Sequence, residues 1–210
     1  MRITRLLDGY RRFRDGHYSR ARSLYQELEA QGQSPKVLFL ACCDSRVDPA
    51  VITDAGPGEL FVVRNVANLV PPCNPDGQYH GTSAALEFAI KSLGVEHIVV
   101  MGHAQCGGAK ALLQQGQDTP GRDDFIGKWM HIASAARDRV YQRTDISGPG
   151  RLICLEQEIV RLSLRNLLTF EWIKTRVEAG TLHLHGWYFG IAKGRLYVLD
   201  PATDEFRPAS

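Results

Sequence analysis

The chain has 210 residues, a formal net charge of +2, 44% apolar and 23% charged residues. This is the balance of a globular domain, not of a disordered chain, and it lacks the charge excess of a nucleic-acid binder. No run approaches the roughly 18 apolar residues of a membrane span, and the N-terminal stretch has no apolar core or small-residue cleavage site of a secretion signal.

A cytoplasmic protein with no membrane or nucleic-acid partner is therefore expected. Its five cysteines (42, 43, 73, 106 and 154) then stay reduced and serve metal binding or chemistry better than cross-linking. The early arginines (Arg2, Arg5, Arg11, Arg12, Arg14, Arg20, Arg22) are interleaved with Asp8, Asp15, Glu27 and Glu29, which reads as a solvated helix face.

Residues 2–30 carry large apolar side chains at partly helical spacing, interrupted near Gly16 and ended by Gln31-Gly32-Gln33-Ser34-Pro35. They predict an N-terminal helical arm over 1–35 that packs on a partner subunit or folds back on its own domain. Lys36–Cys42, Leu60–Val63 and His97–Met101 are short continuous apolar runs, as in strands covered on both faces of a parallel sheet. Leu182–Ile191 and Arg195–Leu199 add a fourth parallel strand and an antiparallel edge strand, joined through Lys193-Gly194. Helices are predicted over Thr82–Leu93, Cys106–Gln115, Phe125–Tyr141 and Arg151–Ala179. The fold class is α/β, one domain over 1–210, with a mostly parallel central sheet flanked by helices.

Ligands in an open α/β sheet bind beyond the carboxyl ends of the strands. Two predicted strands end there in metal-ligand chemistry: Cys42-Cys43-Asp44-Ser45-Arg46 and Gly102-His103-Ala104-Gln105-Cys106-Gly107-Gly108. Two thiolates and one imidazole suit tetrahedral zinc and leave a fourth position open, the catalytic rather than the structural pattern. A lone His-x-x-Cys, or a cysteine at a strand end, is more often structural. The added Asp44 and Arg46 shift the balance, because a guanidinium fork holds a neighbouring carboxylate ionised beside the site. Cys73 and Cys154 read as core or surface thiols, and Trp129 and His131 as packing; His183 and His185, two apart, have the spacing of a second metal pair but are better explained by strand packing, and His17, His80 and His97 carry weaker signals still.

Ala41–Val47 resembles the Cys-x-Asp-x-Arg signature of β-class carbonic anhydrases, and Gly102–Gly108 their His-x-x-Cys-Gly-Gly motif. Pro57–Asn68 and Leu184–Ile191 resemble that family's central stretch and late strand, in the right order. The resemblance implies one zinc per chain on Cys42, His103 and Cys106, and reversible hydration of carbon dioxide to bicarbonate by a hydroxide generated at the metal. It implies a catalytic Asp44 oriented by Arg46, and a substrate pocket of Gln33, Phe61, Val66, Phe88 and Gly107. Phe88 stands where plant members have a tyrosine. A regulatory bicarbonate pocket in another branch uses a Trp, an Arg and a Tyr. Here those positions are Phe39, Arg64 and Phe189, which favours the plant-type branch and leaves Arg64 to pair with a glutamate such as Glu59. Cys43 is expected to be a neighbour of the metal, not a ligand. The family builds its sites at subunit interfaces, so a dimer or a multiple of dimers follows. Hydrolysis of carbon disulfide or carbonyl sulfide, and a non-catalytic zinc protein, are the rival readings.

Overall fold

The computed structural model describes residues 3–114 and 124–209. The start of the predicted arm at 1–2 and the predicted helix end at 115 lie outside them. Among the described residues one six-stranded sheet runs in the order β2-β1-β3-β4-β5-β6. Strands β1 (Val37–Cys42), β2 (Leu60–Asn65), β3 (His97–His103) and β4 (His183–Gly190) are parallel, while β5 (Arg195–Asp200) and β6 (Glu205–Pro208) are antiparallel additions at one edge. The sixth strand goes beyond the five expected. It is four residues long with one large apolar side chain, Phe206, and a terminal proline, so it carries no period-2 pattern.

Layers of helix cover both faces. On one face, β1 and β3 present Phe39, Ala41, Val99 and Met101 to α5 (Gly107–Gln114), α6 (Phe125–His131), α7 (Ser134–Gln142) and α8 (Pro149–Leu167). On the other, Leu38, Leu40, Ile98 and Val100 meet α4 (Gly81–Glu87) and α9 (Glu171–Glu178). This two-sided burial accounts for strands that are apolar throughout. Two predicted helices are split, at Ile132–Ala133 and at Leu168–Phe170. The breaks let successive helical segments follow the twisted sheet.

At the N-terminus, α1 (Ile3–Arg12) passes through a π-helical turn, Phe13–Tyr18, and a bend at Ala21 into α2 (Arg22–Gln31). The helix thus continues through Gly16 and breaks later. Neither α1 nor α2 buries a single residue, and Ile3, Leu6, Leu7 and Tyr10 are all more than half exposed. The arm does touch the sheet layer at one point, where Leu28 Cδ2 would lie 2.8 Å from a Cβ on Gly58. A left-handed φ of 86° there also requires glycine. No helix among the described residues is long and apolar enough to cross a membrane.

Candidate metal centre

The chain crosses from one side of β1 to the other between β2 and β3, so the topological switch point falls between β1 and β3. Cys42 is the last residue of β1 and His103 the last of β3. Cys106 follows after a tight turn in which Gln105 adopts a left-handed φ of 58°, and α5 starts at the next residue. The side-chain donor atoms of Cys42, His103 and Cys106 all lie within 4.8 Å of one another, and all three residues are buried. Cys43 is exposed and outside this group.

Several contacts bring these ends together. A Cβ on Gly102 would stand 2.7 Å from Val160 Cγ2, and one on Gly108 would stand 2.9 Å from Val66 Cγ1. Both glycines therefore admit a neighbouring element that alanine would push away. The Ala104 amide donates to the Phe189 carbonyl at 2.9 Å, tying the turn to β4.

His103 Nδ1 lies 3.0 Å from the Ala104 carbonyl oxygen, which accepts its proton and leaves the Nε2 lone pair free. That Nε2 is fully buried and has no hydrogen-bond partner. A buried, unpaired nitrogen aimed at two thiols fits a borderline-soft ion such as zinc, because coordination satisfies all three donors at once. A hydrogen bond from Cys106 draws the Cys42 thiol well below the ordinary thiol range, while the same bond and burial push Cys106 up.

Asp44 borders the group, with Oδ2 4.0 Å from His103 Nε2. Arg46 holds it with Nε on Oδ1 at 2.9 Å, Nη2 on Oδ2 at 2.7 Å and its own amide on Oδ1 at 2.9 Å. These bonds from Arg46 outweigh partial burial and keep the carboxyl well below the usual carboxylate range. Arg46 Nη2 also reaches the Gln105 carbonyl at 3.1 Å, linking the two ligand-bearing loops.

Behind the cysteines lies Glu156, which the sequence reading overlooked. Oε1 accepts the Cys106 amide at 2.9 Å and Oε2 accepts the Tyr188 hydroxyl at 2.8 Å, in a position 2% exposed. Burial pushes its carboxyl upward. The signal was present in α8: Glu156 falls on the stripe of Leu152, Leu155, Ile159 and Leu162, where a charge needs a partner.

Of the expected pocket residues, Val66 and Gly107 lie on the metal side, Val66 in the Cys42–Cys106 layer and Gly107 next to Cys106. Phe61 and Phe88 sit together, ring centroids 5.9 Å apart, on the opposite layer of the sheet. Gln33 is in the exposed link between α2 and β1. Within one chain these three do not meet the cysteines. The pairing of Arg64 with Glu59 is not formed either. Arg64 faces Ala41 across the strands and reaches the loop after β1, bonding Asp48 Oδ2 at 2.9 Å. Glu59 lies five residues back, about 17 Å away along an extended strand, and its Oε2 accepts the Gly56 amide at 2.8 Å.

A Cys2His donor set at a sheet switch point, with an arginine-held carboxylate alongside, defines a catalytic type of metal centre in an α/β protein. A family model described as carbonic anhydrase matches residues 37–196, and the chain belongs to the β-carbonic anhydrase family. It is 40% identical to a carbonic anhydrase of Pseudomonas aeruginosa over 203 residues, 96% of this chain and 89% of that protein. It is 38% identical to β carbonic anhydrase 3 of Arabidopsis thaliana over 205 residues, 96% and 79% of the two chains. Among solved structures, the β-carbonic anhydrase CcaA superposes with a TM-score of 0.89 at 34% identity, covering 99% of this chain and 92% of that one.

Proposed function

We propose that this chain catalyses the reversible hydration of carbon dioxide to bicarbonate and a proton, with zinc held by Cys42, His103 and Cys106. The observation that carries the reading is the buried, unpartnered His103 Nε2 converging with two thiols beside the Asp44–Arg46 pair. Zinc in such a set supplies Lewis acidity and lowers the pKa of a bound water to about 7. The chain's own residues do the rest. Asp44, ionised under the grip of Arg46, would accept a hydrogen bond from the attacking oxygen, which keeps its hydrogen, and so aim its lone pair at the carbon. Arg46 keeps Asp44 turned to the site and ties it to the Gln105 loop. Amides at the start of α5, around Gly107, donate toward the developing carboxylate charge, and Val66 supplies an apolar wall for the substrate.

The same reading includes assembly. Gln33, Phe61 and Phe88 reach a metal site only if a second copy brings them, and the arm exposes Ile3, Leu6, Leu7 and Tyr10 with no cover of its own. A dimer, or a multiple of dimers, with the arm on a second subunit accounts for both. A chain from a structural study of two tetrameric β-carbonic anhydrases of Sordaria macrospora is 27% identical to this chain with a TM-score of 0.81, covering 99% of it and 98% of its own length.

The test is a carbon dioxide hydration assay on protein of measured zinc content, run beside carbon disulfide as substrate. Hydration proportional to zinc, with no carbon disulfide turnover, is expected. Turnover of carbon disulfide alone would move the function to the hydrolase on the same scaffold, and activity in neither assay would leave a non-catalytic metal protein. Light scattering at assay concentration should give at least a dimer, and an active monomer would overturn the assembly.

A further inference from the structure

Three imidazoles converge at the other end of the sheet, away from the Cys2His centre. His97 opens β3, His183 opens β4, and the two are register partners. His185 is two residues further along β4, so the strand's period of two returns it to the same face. The His97 and His183 rings are stacked with centroids 5.2 Å apart, and the His185 ring lies 5.3 Å from that of His97. His97 Nδ1 and His185 Nε2 stand 3.1 Å apart. Both rings line an open cavity of about 410 Å3, whose wall also carries Glu59.

That nitrogen spacing has a second meaning besides a hydrogen bond. Two imidazole nitrogens bound at about 2.0–2.1 Å to one ion, at angles of 90–109°, lie about 2.8–3.4 Å apart. The observed separation falls inside this range. A cavity of this size leaves room for an ion and its waters, and Glu59 is a carboxylate on the same wall. Burial, with His97 and His183 as neighbours, pulls the His185 pKa down and so favours the neutral imidazole that ligates.

We propose that His97 and His185 form a second metal site, open to solvent, that takes a divalent transition ion, with Glu59 elsewhere on the cavity wall and His183 stacked on His97. Imidazole ligation with few protein donors gives the order Cu2+ above Ni2+ and Zn2+. The site is independent of the catalytic reading, because it shares no residue with Cys42, His103 or Cys106.

The test uses the zinc-loaded protein with metal content measured before and after. Calorimetric titration with Ni2+ should show about one further ion per chain, as one bidentate imidazole pair allows, with the original zinc retained. His97→Gln and His185→Gln should each weaken that uptake at least tenfold, while His131→Gln, on α6, matches the unmodified protein. A second measurement needs no variant: Cu2+ at one ion per chain should give an electron paramagnetic resonance spectrum with two imidazole nitrogens. No added ion in the unmodified protein, uptake unchanged in either pair variant, or a copper spectrum without imidazole nitrogen would each overturn the proposal.

Discussion

The Cys106 amide donates to Glu156 Oε1 at 2.9 Å, so a buried carboxylate on α8 fixes the backbone of the Cys42–His103–Cys106 group from behind. Tyr188 on β4 occupies the other oxygen at 2.8 Å, and the three residues bind helix, strand and ligand turn into one unit. Glu156→Ala would strand the Tyr188 hydroxyl and the Cys106 amide in a buried position. Each unsatisfied buried donor costs about 1–3 kcal/mol. A fall in stability of about 2–6 kcal/mol by urea denaturation is therefore expected, together with weaker zinc retention. Glu156→Gln keeps an oxygen for the amide and should lose much less. Equal stability and zinc content in Glu156→Ala would show that this carboxylate supports nothing.

Asp44 and the cysteines should separate metal binding from chemistry. Cys42→Ser removes a donor from the group within 4.8 Å and should lose most of the zinc on dialysis. Asp44→Asn leaves all three donors in place but removes the charge that Arg46 grips through three bonds. Zinc content should stay near that of the unmodified protein while hydration turnover drops on the order of 10²-fold, the scale for one preorganised electrostatic partner. Full turnover at saturating buffer would remove Asp44 from the mechanism.

Much of this site was legible because it is written in contiguous strand ends. Cys42, Asp44 and Arg46 lie within five residues, His103 and Cys106 within four, and each group follows an apolar run that can only be a buried strand. What was not legible depends on packing between distant segments. Glu156 stands on the apolar stripe of α8, which marks it as needing a partner, but that partner, the Cys106 amide, is 50 positions away. The Arg64 partner depends on which end of β2 the side chain points toward, which a residue count does not reveal. His97 looked isolated because its companions come from β4, with His185 88 positions further along the chain. For the same reason β6 was missed: four residues with one aromatic have meaning only once β5 offers them an edge.

The histidine cluster also predicts a pH response with a definite sign. His185 has a folded pKa below its unfolded value of about 6.5, because burial, then His97 and His183, disfavour its charge. The unfolded chain thus binds the proton better, and stability falls as pH is lowered from about 6.5 through the folded value. Around the ring, His97 comes from β3, His183 from β4 and the Glu59 carboxylate from the segment before β2. With no metal added, the urea midpoint should drop between pH 7.5 and pH 5.5, and His185→Gln should shrink that drop. An unchanged pH response in the variant would place the acid sensitivity elsewhere.

Regulation by the product can be argued from Arg64 and its surroundings. Bicarbonate leaving water must recover its hydrogen bonds, so a pocket for it needs several free donors. Phe39 is 1% exposed and packs edge-on against Trp187 with centroids 5.5 Å apart, offering a ring with no donor, and Phe189 is likewise a hydrocarbon ring. The donors of Arg64 are committed within its own chain: Nε to the Cys42 carbonyl at 3.0 Å, Nη1 to Asp48 at 2.9 Å and Nη2 to the Asp44 carbonyl at 2.7 Å. An anion capturing Arg64 would have to break the brace that holds the Cys42–Asp48 loop, and Asp44 with it. The hydration rate measured against bicarbonate near pH 7, at fixed ionic strength, should therefore decline hyperbolically, as simple product inhibition. A sigmoidal decline that disappears in Arg64→Lys would mean that the brace opens, and that the aromatic substitutions at Phe39 and Phe189 did not remove the regulatory pocket.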